Sequence, residues 1–253
     1  MTDVSAWAHV AAGAAAVVGG LVNAVAGGGT LITFPVLTAI GVPTVRANAT
    51  NTVALMPGYM GGVVAQRSDL TGLGRTIRPQ LAAAAIGGLA GSVLLIITSE
   101  SSFRQVVPFL ILSACLLMAG QDRIRSWIFA PGETHVSHPV LQTTSVGLAA
   151  VYGGYFGAGL GIMLLAVLGL FSDLPFSRLN AIKLFLAFVA NLAAAAFLSL
   201  SGKVEWTLIA VMAPAALLGG NLGGRVARVV PARTMRAFVI VFGLIVAMVY
   251  FVK

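Results

Sequence analysis

Several residues in this chain have the types and spacing to hold a small anion. Gly28, Gly29 and Thr30 end the run Gly27-Gly28-Gly29-Thr30, and Gly159 and Gly161 belong to Gly157-Ala158-Gly159-Leu160-Gly161. Glycine interrupts a helix and lets backbone or ligand approach closely. A helix restarting at Thr30 or Leu160 would aim unpaired N–H groups and a partial positive charge into the break. That is an anion site made by the backbone alone. Replacing Gly29 or Gly161 by Val is therefore expected to block a positive φ or the approach of the anion. Side-chain donors follow in Arg46-Ala47-Asn48-Ala49-Thr50-Asn51 and Arg178-Leu179-Asn180-Ala181-Ile182-Lys183. Asn48 with Asn51, and Asn180 with Lys183, stand three apart on one helix face. Lys183 opens a long apolar run, where a cation is costly and marks function.

Each feature also has a plainer reading. Glycines let helices pack closely. Lys183 could snorkel to an interface, and Arg46 and Arg178 read as interface anchors. A lone glycine favours packing, whereas two breaks at matched positions favour a site. Asn23, Tyr59, Tyr152, Tyr155 and Asn191 are expected to hydrogen-bond between helices. His135 and His138 have no further ligands nearby, so no metal is expected. No Ser/His pair, carboxylate dyad or metal cluster falls in an apolar run, so the chain is read as no enzyme and as needing no cofactor. The seven acidic residues, Asp3, Asp69, Glu100, Asp122, Glu133, Asp173 and Glu205, all fall at expected ends or connectors. A carboxylate proton relay within the spans is therefore not expected.

The elements carrying these groups read as membrane helices. Of 253 residues, 58% are hydrophobic and 9% charged, where a soluble domain is about one quarter charged. Val53–Val64, Leu81–Thr98, Val106–Ala119, Val140–Val151, Leu184–Leu200 and Ala237–Val252 carry almost no charge. With their flanks, several reach the ~20 residues that a bilayer core demands. They are too uniformly apolar for barrel strands, which alternate, and a helix satisfies its own backbone in lipid. The net charge of +8 does not point to nucleic acid, because Lys and Arg sit in short connectors where orientation signals belong. Cys115 reads as a small packed hydrophobe. No Lys or Arg precedes Arg46, so the N-terminus lacks the basic region of a cleaved signal peptide and is expected to be retained.

Five elements are expected at roughly 5–26, 30–41, 47–66, 77–98 and 103–120, and five more at 139–158, 160–171, 178–200, 205–224 and 233–252. The domains expected are a first transmembrane repeat over 1–120, a cytoplasmic linker over 121–138 and a second repeat over 139–253. The halves align without a gap at an offset of 132: Pro43, Arg46, Asn48 and Ala49 fall on Pro175, Arg178, Asn180 and Ala181. Internal repeats are a hallmark of secondary transporters. An odd number of crossings per repeat places Arg67, Arg75, Arg78, Arg123, Arg125, Arg178, Arg225, Arg228, Arg233 and Arg236 inside, against Arg46, Arg104, Lys203 and Lys253 outside. An even number balances the two sides. Positive-inside bias prefers the first, and hence inverted repeats. The short elements 30–41 and 160–171 rise only ~18 Å as helices. They either span or re-enter beside their predecessors, and re-entry keeps the parity odd. The fold expected is an all-α integral membrane protein of two inverted repeats.

The stretch Asn23-Ala24-Val25-Ala26-Gly27-Gly28-Gly29-Thr30-Leu31-Ile32-Thr33-Phe34-Pro35 resembles the opening signature of the sulfite exporter TauE/SafE family. So do Gly41-Val42-Pro43, Ala47-Asn48-Ala49-Thr50-Asn51, Gly153-Gly154-Tyr155-Phe156-Gly157-Ala158-Gly159 and Asn180-Ala181-Ile182-Lys183. The resemblance covers nearly the whole chain. It implies a multi-pass permease of the bacterial inner membrane for small anions, often sulfite or organosulfonates. Such compact oxyanions suit converging donors. The expected function is secondary transport of a small anion by alternating access, with an anion channel or a subunit of a larger complex as alternatives. Which anion, which direction, the coupling and the oligomeric state, a homodimer among the options, stay open.

Overall fold

In the computed structural model the described residues are 5–25, 27–128, 138–172, 174–226 and 232–252. Asp3, Glu133, His135, Asp173, Arg228 and Lys253 lie outside them. Every regular element among the described residues is helical: α1 Ala6–Val25, α2 Thr30–Ala39, α3 Thr44–Ala65, α4 Gly74–Ile97, α5 Glu100–Ile128, α6 Pro139–Tyr155, α7 Leu160–Leu170, α8 Phe176–Leu200, α9 Trp206–Val226 and α10 Ala232–Val252, with a 3-10 turn at Arg67–Leu70. Among the described residues, five stretches are long and apolar enough to cross a membrane: Ala6–Asn23, Ile77–Ile97, Glu100–Gly120, Phe176–Leu200 and Trp206–Gly223. Large apolar side chains such as Ile97, Leu116, Leu148 and Met248 are exposed on the outer surface, as lipid-facing positions would be.

One boundary differs from expectation. Helix α5 continues to Ile128, so 121–128 is helix and Asp122 sits within it. Nothing in Gln121–Ile128 breaks a helix; the first breakers are Pro131 and Gly132.

Helices α3, α4 and α5 begin at 44, 74 and 100, and α8, α9 and α10 begin at 176, 206 and 232, each 132 positions later. The packing follows the same correspondence. Helix α1 lies along α9 as α6 lies along α4, and α3 meets α9 as α8 meets α4, while α3 packs on α8 and α5 on α10. Glycine permits the closest of these approaches: Gly87 and Gly91 of α4 rest on the Gly147 and Val151 carbonyls of α6, and Gly219 of α9 rests on Val17 of α1.

Polar contacts mark the two ends of the bundle. At one end, Thr44 donates its hydroxyl to Glu100 at 2.8 Å, the Val45 N–H donates to the same carboxylate at 3.0 Å, and Arg46 pairs with Glu205 at 2.7 Å. The carboxylate of Glu100 thus caps α3 from another helix, where Pro43 at the N-cap offers no side-chain acceptor. At the other end, Asn180 Nδ2 donates to Gln66 Oε1 at 2.9 Å and Gln80 Nε2 donates to Gln142 Oε1 at 3.0 Å. Helices α3 and α8 are therefore antiparallel. Both α6 and α8 start at the second end, so the α6–α7 pair enters the bundle and returns. Helix α1 runs parallel to α9, with Gly13 against Val211 and Gly20 against Ala216. It starts at the first end, and α2 leads back there to Thr44. Neither short helix crosses the bundle.

Candidate anion-binding site

The sequence-selected residues fall into two groups. The first surrounds the α1–α2 break. The left-handed turns are made by Gly27 (φ 78) at the first break and by Gly157 and Gly159 (both φ 81) at the second, rather than by Gly29 or Gly161. Gly29 has helical backbone at φ −57. Its constraint is close packing: a β-carbon there would overlap the Gly19 carbonyl and lie 3.2 Å from Asn23 Cβ. Gly28 lies under Met118 and Val239. The Asn51 Nδ2 donates to Thr30 Oγ1 at 3.2 Å, while the Thr33 hydroxyl donates to Asn51 Oδ1 and contacts the Gly29 carbonyl at 3.1 Å. All of these side chains are buried. Asn51 therefore ties α2 to α3 and has its acceptor and donor engaged. Asn48 Nδ2 donates to the Tyr155 carbonyl at 2.7 Å, at the last residue of α6.

The second group surrounds the α6–α7 break. Lys183 Nζ donates to Asn180 Oδ1 at 2.7 Å, and Asn180 in turn reaches Gln66. A β-carbon on Gly161 would stand 3.7 Å from Lys183 Cδ and 3.8 Å from Cε. The lysine stem therefore passes the first turn of α7. The Gly161 N–H has no backbone hydrogen bond among the described residues. An ammonium with three donors, one directed to Asn180, meets the positive end of a helix here. A cation beside the positive end of a helix is a pairing whose chemistry suits an anion.

Gln66 stands fifteen positions beyond Asn51, or ~22 Å along α3 at ~1.5 Å per residue. The two half-sites nonetheless share the α6–α7 break: the Tyr155 carbonyl before it accepts from Asn48, and Gly161 after it faces the Lys183 stem. Sequence reasoning missed Thr33, whose i, i+3 relation to Thr30 was a usable signal. It also missed Gln66, for which no signal existed. Asn191 corrects an expectation: its Nδ2 bonds the Ala187 carbonyl of its own helix at 2.8 Å, because an Asn inside a helix can reach its own preceding turn. The Tyr152 hydroxyl donates to the Ala158 carbonyl at 2.8 Å across its own break and also meets Ser113 of α5, a contact between helices as expected.

A cavity of about 970 Å³ opens at the first end, lined by Thr38, Thr44, Glu100, Arg104, Phe242 and Tyr250 among others. Below Thr38, the buried Phe34 packs on Tyr250 at 6.3 Å and on Phe156 at 5.5 Å between ring centroids. This aromatic layer lies between the cavity and the Thr30–Thr33–Asn51 group. Among the described residues, no three His, Cys, Asp or Glu side chains gather as a metal site would require.

A helical bundle with apolar spans, broken helices and a cationic half-site is a membrane transporter's construction. The profile of the family described as Sulfite exporter TauE/SafE matches residues 12–250, and the chain belongs to that family of multi-pass membrane transporters. It is 29% identical over 238 residues to "Probable membrane transporter protein" of Haemophilus influenzae, covering 92% of this chain and 91% of that protein. It is 25% identical over 236 residues to "Probable membrane transporter protein ORF9" of a Sinorhizobium species, covering 92% and 88%. To "Probable membrane transporter protein YfcA" of Escherichia coli K12 it is 24% identical over 217 residues, covering 83% and 77%. No solved structure matches the chain at a significant level.

Proposed function

We propose that this transporter is a secondary carrier of small oxyanions, sulfite or sulfonate in kind, in the bacterial inner membrane. Lys183 and the start of α7 are its anion-binding group. The observation that carries this reading is the lysine stem against Gly161, which sets an ammonium at a helix N-terminus inside an otherwise apolar span. Alternating access is favoured over a continuous pore because the buried Phe34 layer stands between the end cavity and the first half-site.

The repeats, 1–120 and 139–253, are proposed to be inverted about the membrane plane. Helix α1 begins at the Glu205 end and α6 begins at the Gln80 end, and the packing survives exchange of the halves. The Gln66–Asn180 end, flanked by Arg67 and Arg178, then faces the cytoplasm. Single cysteines placed near Arg228 are expected to resist an impermeant thiol reagent added outside, while a cysteine at Lys203 reacts. Strong external labelling near Arg228 would reverse the orientation.

With no carboxylate pair in the spans among the described residues, the membrane potential is the proposed driver. An interior-negative potential favours outward movement of an anion by ~2.3 kcal/mol per charge per 100 mV. Proteoliposomes loaded with dianionic sulfite, with potassium and valinomycin setting the potential independently of pH, should show saturable flux that follows the potential. Flux that ignores the potential and tracks the pH gradient would overturn this driver. Flux that does not saturate would favour a channel.

A further inference from the structure

We infer that the first half-site binds a monovalent cation, sodium by its chemistry, at Asn48 Oδ1. Asn48 is 0% exposed. Its Nδ2 donates to the Tyr155 carbonyl at 2.7 Å. A backbone carbonyl can only accept, so the amide cannot be turned over and Oδ1 is fixed as an acceptor. That oxygen has no hydrogen-bond partner among the described residues. A buried acceptor without a donor is costly and asks for one.

The second half of the chain supplies what the first lacks. Asn180, the counterpart of Asn48 at the 132-residue offset, has its Oδ1 met by Lys183 Nζ at 2.7 Å. The counterpart of Lys183 is Asn51, which is neutral and bonded to Thr30 and Thr33. One half therefore carries its cation on the chain, and the other presents the same acceptor without one. The local field has the right sign. Tyr155 ends α6, and a helix C-terminus carries partial negative charge. The unpartnered oxygen is that of a neutral amide, beside the carbonyl that ends α6, and no carboxylate cluster accompanies it among the described residues. Neutral oxygens at a broken-helix end suit sodium, whereas calcium draws on carboxylates.

This inference stands on Asn48 and does not require the anion reading of Lys183. Combined with it, the consequence concerns charge. One sodium moving with each anion would make monoanionic sulfonate transport electroneutral and leave dianionic sulfite with one charge to follow the potential.

The test is thermal unfolding of the purified full chain in detergent, with chloride salts of sodium, potassium and N-methylglucamine at equal ionic strength. Sodium alone should raise the melting temperature, with a saturating dependence. Asn48→Ala should raise the sodium concentration needed by about tenfold or more, and Asn48→Asp, which keeps an acceptor and adds charge, should lower it. Lys183→Met should keep the sodium response and lose the response to sulfite. Equal effects of the three salts would overturn the proposal, as would an unchanged sodium midpoint in Asn48→Ala. Should Asn48→Ala fail to fold, an unchanged midpoint in Asn48→Asp would do so instead. A lost sodium response with the sulfite response intact defeats only the cation site. A sulfite response retained in Lys183→Met defeats only the anion reading.

Discussion

Lys183→Met is expected to weaken sulfite binding by roughly 1.5–3 kcal/mol, about ten- to 150-fold in Kd, because a hydrogen bond to a charged group is worth that much. Methionine keeps the length and flexibility of the stem beside Gly161 and removes only the ammonium. The span itself should tolerate the change, since it loses a charge that lipid disfavours. Asn180 loses the donor now 2.7 Å from its Oδ1 but keeps its own bond to Gln66. Lys183→Arg should restore binding only in part, because a planar fork replaces a compact point charge. Sulfite titration by calorimetry measures both variants. Wild-type affinity in Lys183→Met would reduce the lysine to an anchor of the α3–α8 contact.

The repeat was legible because its markers are local. Pro43 and Pro175 stand at the N-caps of α3 and α8, with φ −54 and −60, and a proline fixes that geometry wherever it appears. Glycine runs showed where the first and sixth helices break. The distribution of the polar residues was not legible. Asn51 and Lys183 are counterparts in sequence, yet Asn51 is tied to Thr30 and Thr33 while the Lys183 stem passes Gly161, and the choice of partner on another helix leaves no mark on composition. The use of Asn48 was hidden for a different reason. Its donor goes to a main-chain carbonyl, Tyr155, and every residue type carries one. Likewise, the role of Gly29 depends on Gly19, a contact between helices that periodicity does not report.

Gly29→Ala and Gly161→Ala should therefore behave differently, although they occupy matched positions. At Gly29 the added carbon would meet the Gly19 main chain, and a carbon on Gly19 would meet Thr33 Cγ2 at 2.6 Å and the Gly29 carbonyl at 3.3 Å. Main-chain atoms cannot rotate away, so α2 would have to lift from α1, against the Asn51 tether to Thr30 and Thr33. Overpacking of this kind costs about 1–3 kcal/mol or more. Gly29→Ala should lose folded protein, seen as a reduced monodisperse peak in size-exclusion chromatography. At Gly161 the carbon meets only the lysine stem at 3.7 Å or beyond, an ordinary contact. In the first turn of α7, alanine is also the better helix former by up to ~1 kcal/mol. Gly161→Ala should fold at wild-type yield. Gly161→Val, whose branches press on the stem and shift the ammonium, should keep its yield and lose most sulfite flux in proteoliposomes. The reverse pattern, with Gly29→Ala folded but inactive and Gly161→Val lost from the membrane, would move the anion to the α2 terminus and leave Gly161 as the packing glycine.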